Sequence, residues 1–127
     1  MSGRRVLVIE DNPLNIELLT DLLEGMGCVV VPAPTGEAGL SAALAAPPDL
    51  ALVDLRLPRL SGLEVLHLMR EQPTLRGVPV IAVTAEAMQG DEARTLRAGF
   101  DGYLSKPVDA SRLRELVRDY LFVDPTQ

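Results

Sequence analysis

Three short apolar runs end abruptly in polar residues. Val6-Leu7-Val8-Ile9 runs into Glu10 and Asp11, Ala51-Leu52-Val53 into Asp54, and Val80-Ile81-Ala82-Val83 into Thr84. Runs that are apolar at every position suit strands of a parallel sheet covered on both faces. With Cys28-Val29-Val30-Val31 and a short run near 101–105, the pattern predicts five strands, at about 5–10, 28–31, 50–54, 78–83 and 101–105. Between them, apolar residues recur at three- and four-residue spacing, the signature of amphipathic helices. Asn12-Pro13 reads as the N-cap and first residue of helix one, which carries Leu14, Leu18 and Leu22 on one face, with Leu19, Leu23 and Met26 beside it, until Gly27. Thr35 is a candidate cap for helix two, which holds Ala38, Leu40, Ala43 and Leu44 until Pro47-Pro48. Ser61-Gly62-Leu63-Glu64 has capping-box spacing and opens helix three, through Met69. Asp91 is a candidate cap for helix four, which Gly99 closes, and Asp109 for helix five, where Leu113, Leu116, Val117 and Leu121 share a face.

Regular alternation of strand and helix indicates a doubly wound α/β domain, with helices on both faces of a parallel sheet. Residues 1–127 read as a single domain with a core of about 4–121, without repeat or linker. In open sheets of this class, ligands bind outside the carboxyl ends of the strands. The polar residues that close the runs are therefore the candidate functional residues.

Composition narrows the function. Apolar residues make up 47 % of the 127, as in a globular protein. No apolar run approaches a membrane span and nothing resembles a cleaved signal, so a cytoplasmic protein without membrane contact is expected. The net charge of −6 argues against a nucleic-acid surface. Cys28, the single cysteine, reads as a small core residue. Eleven of the twelve basic residues are Arg, and Lys106 is the one Lys. A compact ammonium kept at one place suggests a chemical role, although chance under a codon bias accounts for it equally well.

If strands one and three are neighbours, Glu10, Asp11 and Asp54 converge. Three carboxylates in one cleft repel unless their pKa values rise or a cation joins them. An all-oxygen set with room for water suits Mg2+ better than a closed Ca2+ cage, and no Cys or His lies near these ends to favour zinc. The alternative is that each acid merely caps its own loop. A carboxylate so placed can attack phosphorus and form an acyl phosphate. That transfer requires positioning and charge neutralisation, which Lys106 and the hydroxyl of Thr84 can supply beside the metal.

The ordered set Val8-Ile9-Glu10-Asp11-Asn12, Asp54-Leu55-Arg56-Leu57-Pro58 with Ser61-Gly62, Val83-Thr84-Ala85 and Tyr103-Leu104-Ser105-Lys106-Pro107 resembles the receiver domain of two-component response regulators, the CheY-like superfamily. The stretch Ala82–Glu92 is similar to stand-alone DivK-like regulators. The resemblance implies a flavodoxin-like (βα)5 fold with strand order 2-1-3-4-5, an order taken from the family and not from periodicity. It implies that Asp54 accepts a phosphoryl group from a phosphohistidine on a sensor histidine kinase or histidine phosphotransfer protein. Asp11 then binds Mg2+ directly, Glu10 acts largely through water, and Arg56 contributes its backbone carbonyl. Lys106 pairs with Asp54 and then with the phosphate. Thr84 and Tyr103 form a switch, in which the hydroxyl moves to the phosphoryl group and the ring turns inward. The Lys106-Pro107 bond is expected to be cis, and the surface from helix four through strand five to helix five to bind a downstream protein.

Leu57 stands where the family frequently has Met, a volume-conserving change. Arg56 and Glu86, two residues after Asp54 and Thr84, are candidates for a gate that screens the acyl phosphate from water, or are simply two solvated side chains. His67, inside helix three, and Arg112, Arg114 and Arg118 read as ordinary surface residues. Three other functions compete. An aspartyl-phosphate phosphatase commonly has a second acid where Arg56 stands. A flavin carrier needs phosphate donors where Glu10, Asp11 and Asn12 stand. A phosphorylation-independent scaffold does not need the full constellation. With about six residues after helix five, the expectation is a stand-alone receiver, not an enzyme beyond its own phosphorylation and slow dephosphorylation. Its output would pass by protein binding or onward relay, as a monomer or a phosphorylation-dependent dimer.

Overall fold

The computed structural model describes residues 3–85 and 91–121. Strands and helices alternate as β1 (Arg5–Ile9), α1 (Pro13–Glu24), β2 (Val29–Ala33), α2 (Gly36–Ala45), β3 (Leu50–Asp54), α3 (Gly62–Glu71), β4 (Val80–Thr84), α4 (Asp91–Arg97), β5 (Gly102–Ser105) and α5 (Ala110–Leu121). All pairings are parallel, in the order β2-β1-β3-β4-β5. β3 and β4 are buried along their whole length, and β1 from its second residue. That is what apolar runs without alternation demand. β2 is an edge strand, which is why it tolerates Pro32 and leaves Val29 exposed.

The core lies in two layers sorted by the two-residue period of the strands. Leu7 and Ile9 point to the side of α2 and α3, with Val53, Val65, Leu66 and Met69. Val6 and Val8 point to the other side, with Leu19 and Leu23 of α1 and Leu113, Leu116 and Val117 of α5. Four of the five expected caps form, whereas Asp91 lies within α4 and not before it. Asn12 Oδ1 accepts the Leu14 N–H at 2.9 Å, and Thr35 Oγ1 accepts the Ala38 N–H at 3.0 Å. Ser61 and Glu64 complete a reciprocal capping box, and Asp109 Oδ1 accepts the Ser111 N–H at 2.8 Å.

Two helix faces differ from expectation. On α1 the buried pair is Leu19 and Leu23, while Leu14 is 74 % and Leu18 42 % exposed. Two apolar rows run along this helix about 100° apart, and only one can face Val6 and Val8. On α2, Leu44 is exposed, and Gly36, Gly39 and Ala43 face inward. The helix approaches β1 so closely that a Cβ at Gly39 would overlap the Ile9 side chain. β2 and β4 also start later than the apolar runs suggest: Cys28 and Val78 are buried in the loops before them.

Candidate functional site

Register brings the polar strand ends together. Ile9 pairs with Val53, so the next residues, Glu10 and Asp54, emerge side by side. Asp54 pairs with Val83 and Thr84 with Ser105, which brings Thr84 and Lys106 to the same end. The chain leaves β1 toward β2 on one side and returns to β3 on the other. The site thus opens at the reversal of strand order.

Among the described residues, the buried polar side chains are Glu10, Asp54 and Thr84, each under 5 % exposed. Asp11 is exposed, and ligand oxygens of Glu10, Asp11 and Asp54 all lie within 4.8 Å of one another. Lys106 Nζ donates to Asp54 Oδ2 at 3.0 Å. The same ammonium forms an ion pair with Glu10 Oε1 at 2.7 Å. The Asn12 N–H donates to Glu10 Oε2 at 3.0 Å, and the Arg56 N–H to Asp54 Oδ1 at 2.8 Å. The Lys106–Pro107 bond is cis, and the Lys106 N–H donates to the Thr84 carbonyl at 2.8 Å.

Burial pushes the Glu10 carboxyl above its ordinary value, although Lys106 and the Asn12 N–H pull the other way. Burial also draws the Lys106 ammonium down, but Glu10 and Asp54 together more than offset it and hold the group above its ordinary value. Three carboxylates against one ammonium leave the cleft two charges negative, the deficit a divalent cation neutralises. The donors are all oxygen, with Asp11 at the solvent side. That fits Mg2+, which keeps part of its water shell, better than a cation that needs a closed cage.

Tyr103 is 92 % buried, and its phenolic oxygen has no hydrogen-bond partner. It lines a cavity of about 230 Å3 with Arg56, Thr84, Asp91, Arg94 and Thr95. The ring expected to turn inward on phosphorylation is thus already inward in this structure. Arg56 is exposed at the same cavity; its proposed counterpart Glu86 lies outside the described residues. His67, Arg112, Arg114 and Arg118 are exposed away from the strand ends. Sequence reasoning missed the bridging of both buried acids by Lys106 and the role of the Asn12 amide. An Asx cap two residues after an acid was the available signal for the second.

A model of the response regulator receiver domain family matches residues 6–118. The chain belongs to this receiver family. The receiver is 42 % identical over 118 residues to the polar-differentiation response regulator DivK of Brucella ovis, covering 93 % of this chain and 96 % of that one. Among solved structures it is similar to the receiver domain of the sensor histidine kinase PA1611 from Pseudomonas aeruginosa, which has a magnesium ion in its active-site cleft. The TM-score is 0.87 at 34 % identity, over 96 % of this chain and all of that one. Vibrio cholerae CheY4 superposes with a TM-score of 0.86 at 23 % identity, covering 94 % of this receiver and all of that chain, a likeness of fold. Phosphorylation on Asp with Mg2+ is typical of receivers, and family membership implies interaction with histidine kinases or phosphotransfer proteins. No helix among the described residues is long and apolar enough to cross a membrane.

Proposed function

We propose that Asp54 accepts a phosphoryl group from a phosphohistidine on a kinase or phosphotransfer protein. An Asp54 oxygen forms the O–P bond as the N–P bond breaks, and the electron pair returns to the imidazole, which then takes up a proton. The observation that carries this reading is the placement of Asp54. It ends a fully buried strand, it is oriented by the Arg56 N–H and Lys106, and two further carboxylates stand beside it. When bound, Mg2+ neutralises developing charge on the phosphoryl oxygens; Asp11, Asp54, the Arg56 carbonyl and Glu10 (through water) would hold it. Lys106 supplies the second positive charge and remains on Asp54 until the phosphate replaces that contact. Thr84, buried beside it, donates its hydroxyl to a phosphoryl oxygen, and Tyr103 lines the same cavity as Thr84. Arg56 at the cavity mouth shields the acyl phosphate, with Glu86 as its proposed counterpart.

Leu14 and Leu18, exposed on the helix that begins beside Asp11, supply an apolar patch for the phosphodonor. The downstream protein binds the face formed by α4, β5 and α5. α4, none of whose residues is buried, is the element of that face freest to respond to the site. The chain acts in the cytoplasm and has no enzymatic activity beyond its own phosphorylation and dephosphorylation. The test is intact mass after incubation with Mg2+ and acetyl phosphate. Wild type gains about 80 Da, Asp54→Asn gains nothing, and chelation abolishes the gain. An equal gain in Asp54→Asn, or a wild type that neither binds Mg2+ nor gains mass, overturns the reading.

A further inference from the structure

We infer that Gly62 and Gly36 are positioning residues for phosphoryl transfer: they clamp the β3–α3 loop so that its backbone orients Asp54. This rests on the reading of Asp54 as the acceptor. The loop leaves the strand at Asp54 and enters α3 at Gly62. It folds back on itself, because the Gly62 N–H donates to the Leu55 carbonyl at 3.3 Å while the Arg56 N–H reaches Asp54 Oδ1 at 2.8 Å. A Cβ at Gly62 would lie 2.5 Å from the Asp54 carbonyl oxygen, 2.8 Å from Leu55 Cα and 3.1 Å from the Asp54 carbonyl carbon. All three atoms are backbone and cannot swing aside. At the far end of the loop, a Cβ at Gly36, the first residue of α2, would lie 2.9 Å from the Leu60 carbonyl oxygen and 2.8 Å from a Val65 methyl.

The two contacts grip the segment whose amide fixes Asp54 and whose carbonyl, at Arg56, is proposed for the metal. Neither glycine has positive φ among the described residues, so the requirement is close approach and not a special backbone conformation. The reciprocal capping box of Ser61 and Glu64 fixes where α3 begins, so the loop cannot relieve a clash by unwinding the helix start without losing that box. Gly102 is a matched control. A Cβ there would meet Ile81 Cδ1 at 2.6 Å, the end of a flexible side chain, in the core layer away from the loop.

The experiment compares Gly62→Ala, Gly36→Ala and Gly102→Ala with wild type, at temperatures where circular dichroism shows native helix content. It reads Mg2+ affinity by calorimetry and the rate of acetyl phosphate labelling at saturating Mg2+. A shift of the loop by about 1 Å is expected to slow labelling by roughly 100-fold in Gly62→Ala and to a lesser extent in Gly36→Ala. Mg2+ affinity is expected to weaken in both. Gly102→Ala is expected to lose stability while keeping wild-type affinity and rate. Wild-type affinity and rate in a folded Gly62→Ala overturn the inference. If Gly62→Ala does not fold, the same result in Gly36→Ala overturns it, as does an equal loss of rate in Gly102→Ala. A wild type that takes no phosphoryl group overturns instead the reading on which the inference rests.

Discussion

Replacing Lys106 with Met keeps most of the apolar stem and removes the charge from between two buried carboxylates. The ammonium lies 2.7 Å from Glu10 Oε1 and 3.0 Å from Asp54 Oδ2, and its side chain is 16 % exposed. At an effective dielectric constant of about 20, those separations correspond to gross attractions of about 6 and about 5.5 kcal/mol. Dehydrating the ammonium offsets several kcal/mol of this, and removing one partner of such a cluster typically costs about 3–5 kcal/mol. A domain of this size is stable by about 5–15 kcal/mol, so Lys106→Met is expected to remain folded but to lose much of its margin. The loss should depend on pH. The Glu10 carboxyl is already raised by burial and rises further without Lys106. A raised acid takes up its proton more readily when folded, so it favours folding at low pH and loses that contribution as pH rises through its folded value. Urea unfolding at pH 7.5 and 5.5, with and without Mg2+, measures this. Lys106→Met should fall about 3–5 kcal/mol below wild type at pH 7.5 without metal, recover part of the gap at pH 5.5, and recover further with Mg2+. A gap under about 1 kcal/mol at pH 7.5, or one of equal size at both pH values, would refute the picture of two buried anions held by one cation. In wild type, the raised Lys106 contributes fully below the ordinary lysine value of 10.5, and that contribution is lost as pH rises through its higher folded value.

Five further substitutions probe the packing. Leu19→Ala should cost about 2–5 kcal/mol in urea unfolding, whereas Leu14→Ser should stay within about 0.5 kcal/mol and instead slow phosphotransfer from the partner protein. Tyr103→Phe removes a buried hydroxyl that has no partner and should leave thermal stability unchanged or raise it by up to about 1 kcal/mol. Tyr120→Phe, by contrast, loses a hydrogen bond of 2.6 Å to the Asp101 carbonyl and should cost about 1 kcal/mol. Arg59 has φ of 65°, so Arg59→Gly should stabilise by about 0.5–1 kcal/mol despite losing its exposed ion pair with Glu37; a destabilised variant would show that the pair outweighs the backbone strain.

The strands β1, β3 and β4 were legible because burial on both faces leaves an unbroken apolar run, which few other structures produce. The caps at Asn12, Thr35, Ser61 and Asp109 were legible because capping is chemistry within three residues, and each forms as expected. α1 was misread for a related reason. Leu14, Leu18 and Leu22 have helical spacing, but so do Leu19 and Leu23, and periodicity cannot rank two apolar rows on one helix. On α2, the choice of glycine and alanine over leucine for the inward face follows from the distance to Ile9, a property of two elements together.

The sequence by itself determined the alternation of elements, the apolar runs of the central strands, and the identity of the polar residues that close them. Those features depend on local spacing and on the cost of burying polar groups. Only the tertiary structure decided that Glu10 and Asp54 share one ammonium, that Gly62 must lack a Cβ, and that the Tyr103 ring lies inward. Each depends on residues distant in sequence, or on a backbone approach too close to admit a Cβ, and sequence spacing carries neither. The strand order came from family likeness and not from pattern, because parallel pairing leaves no mark on the residues that would tell one neighbour from another.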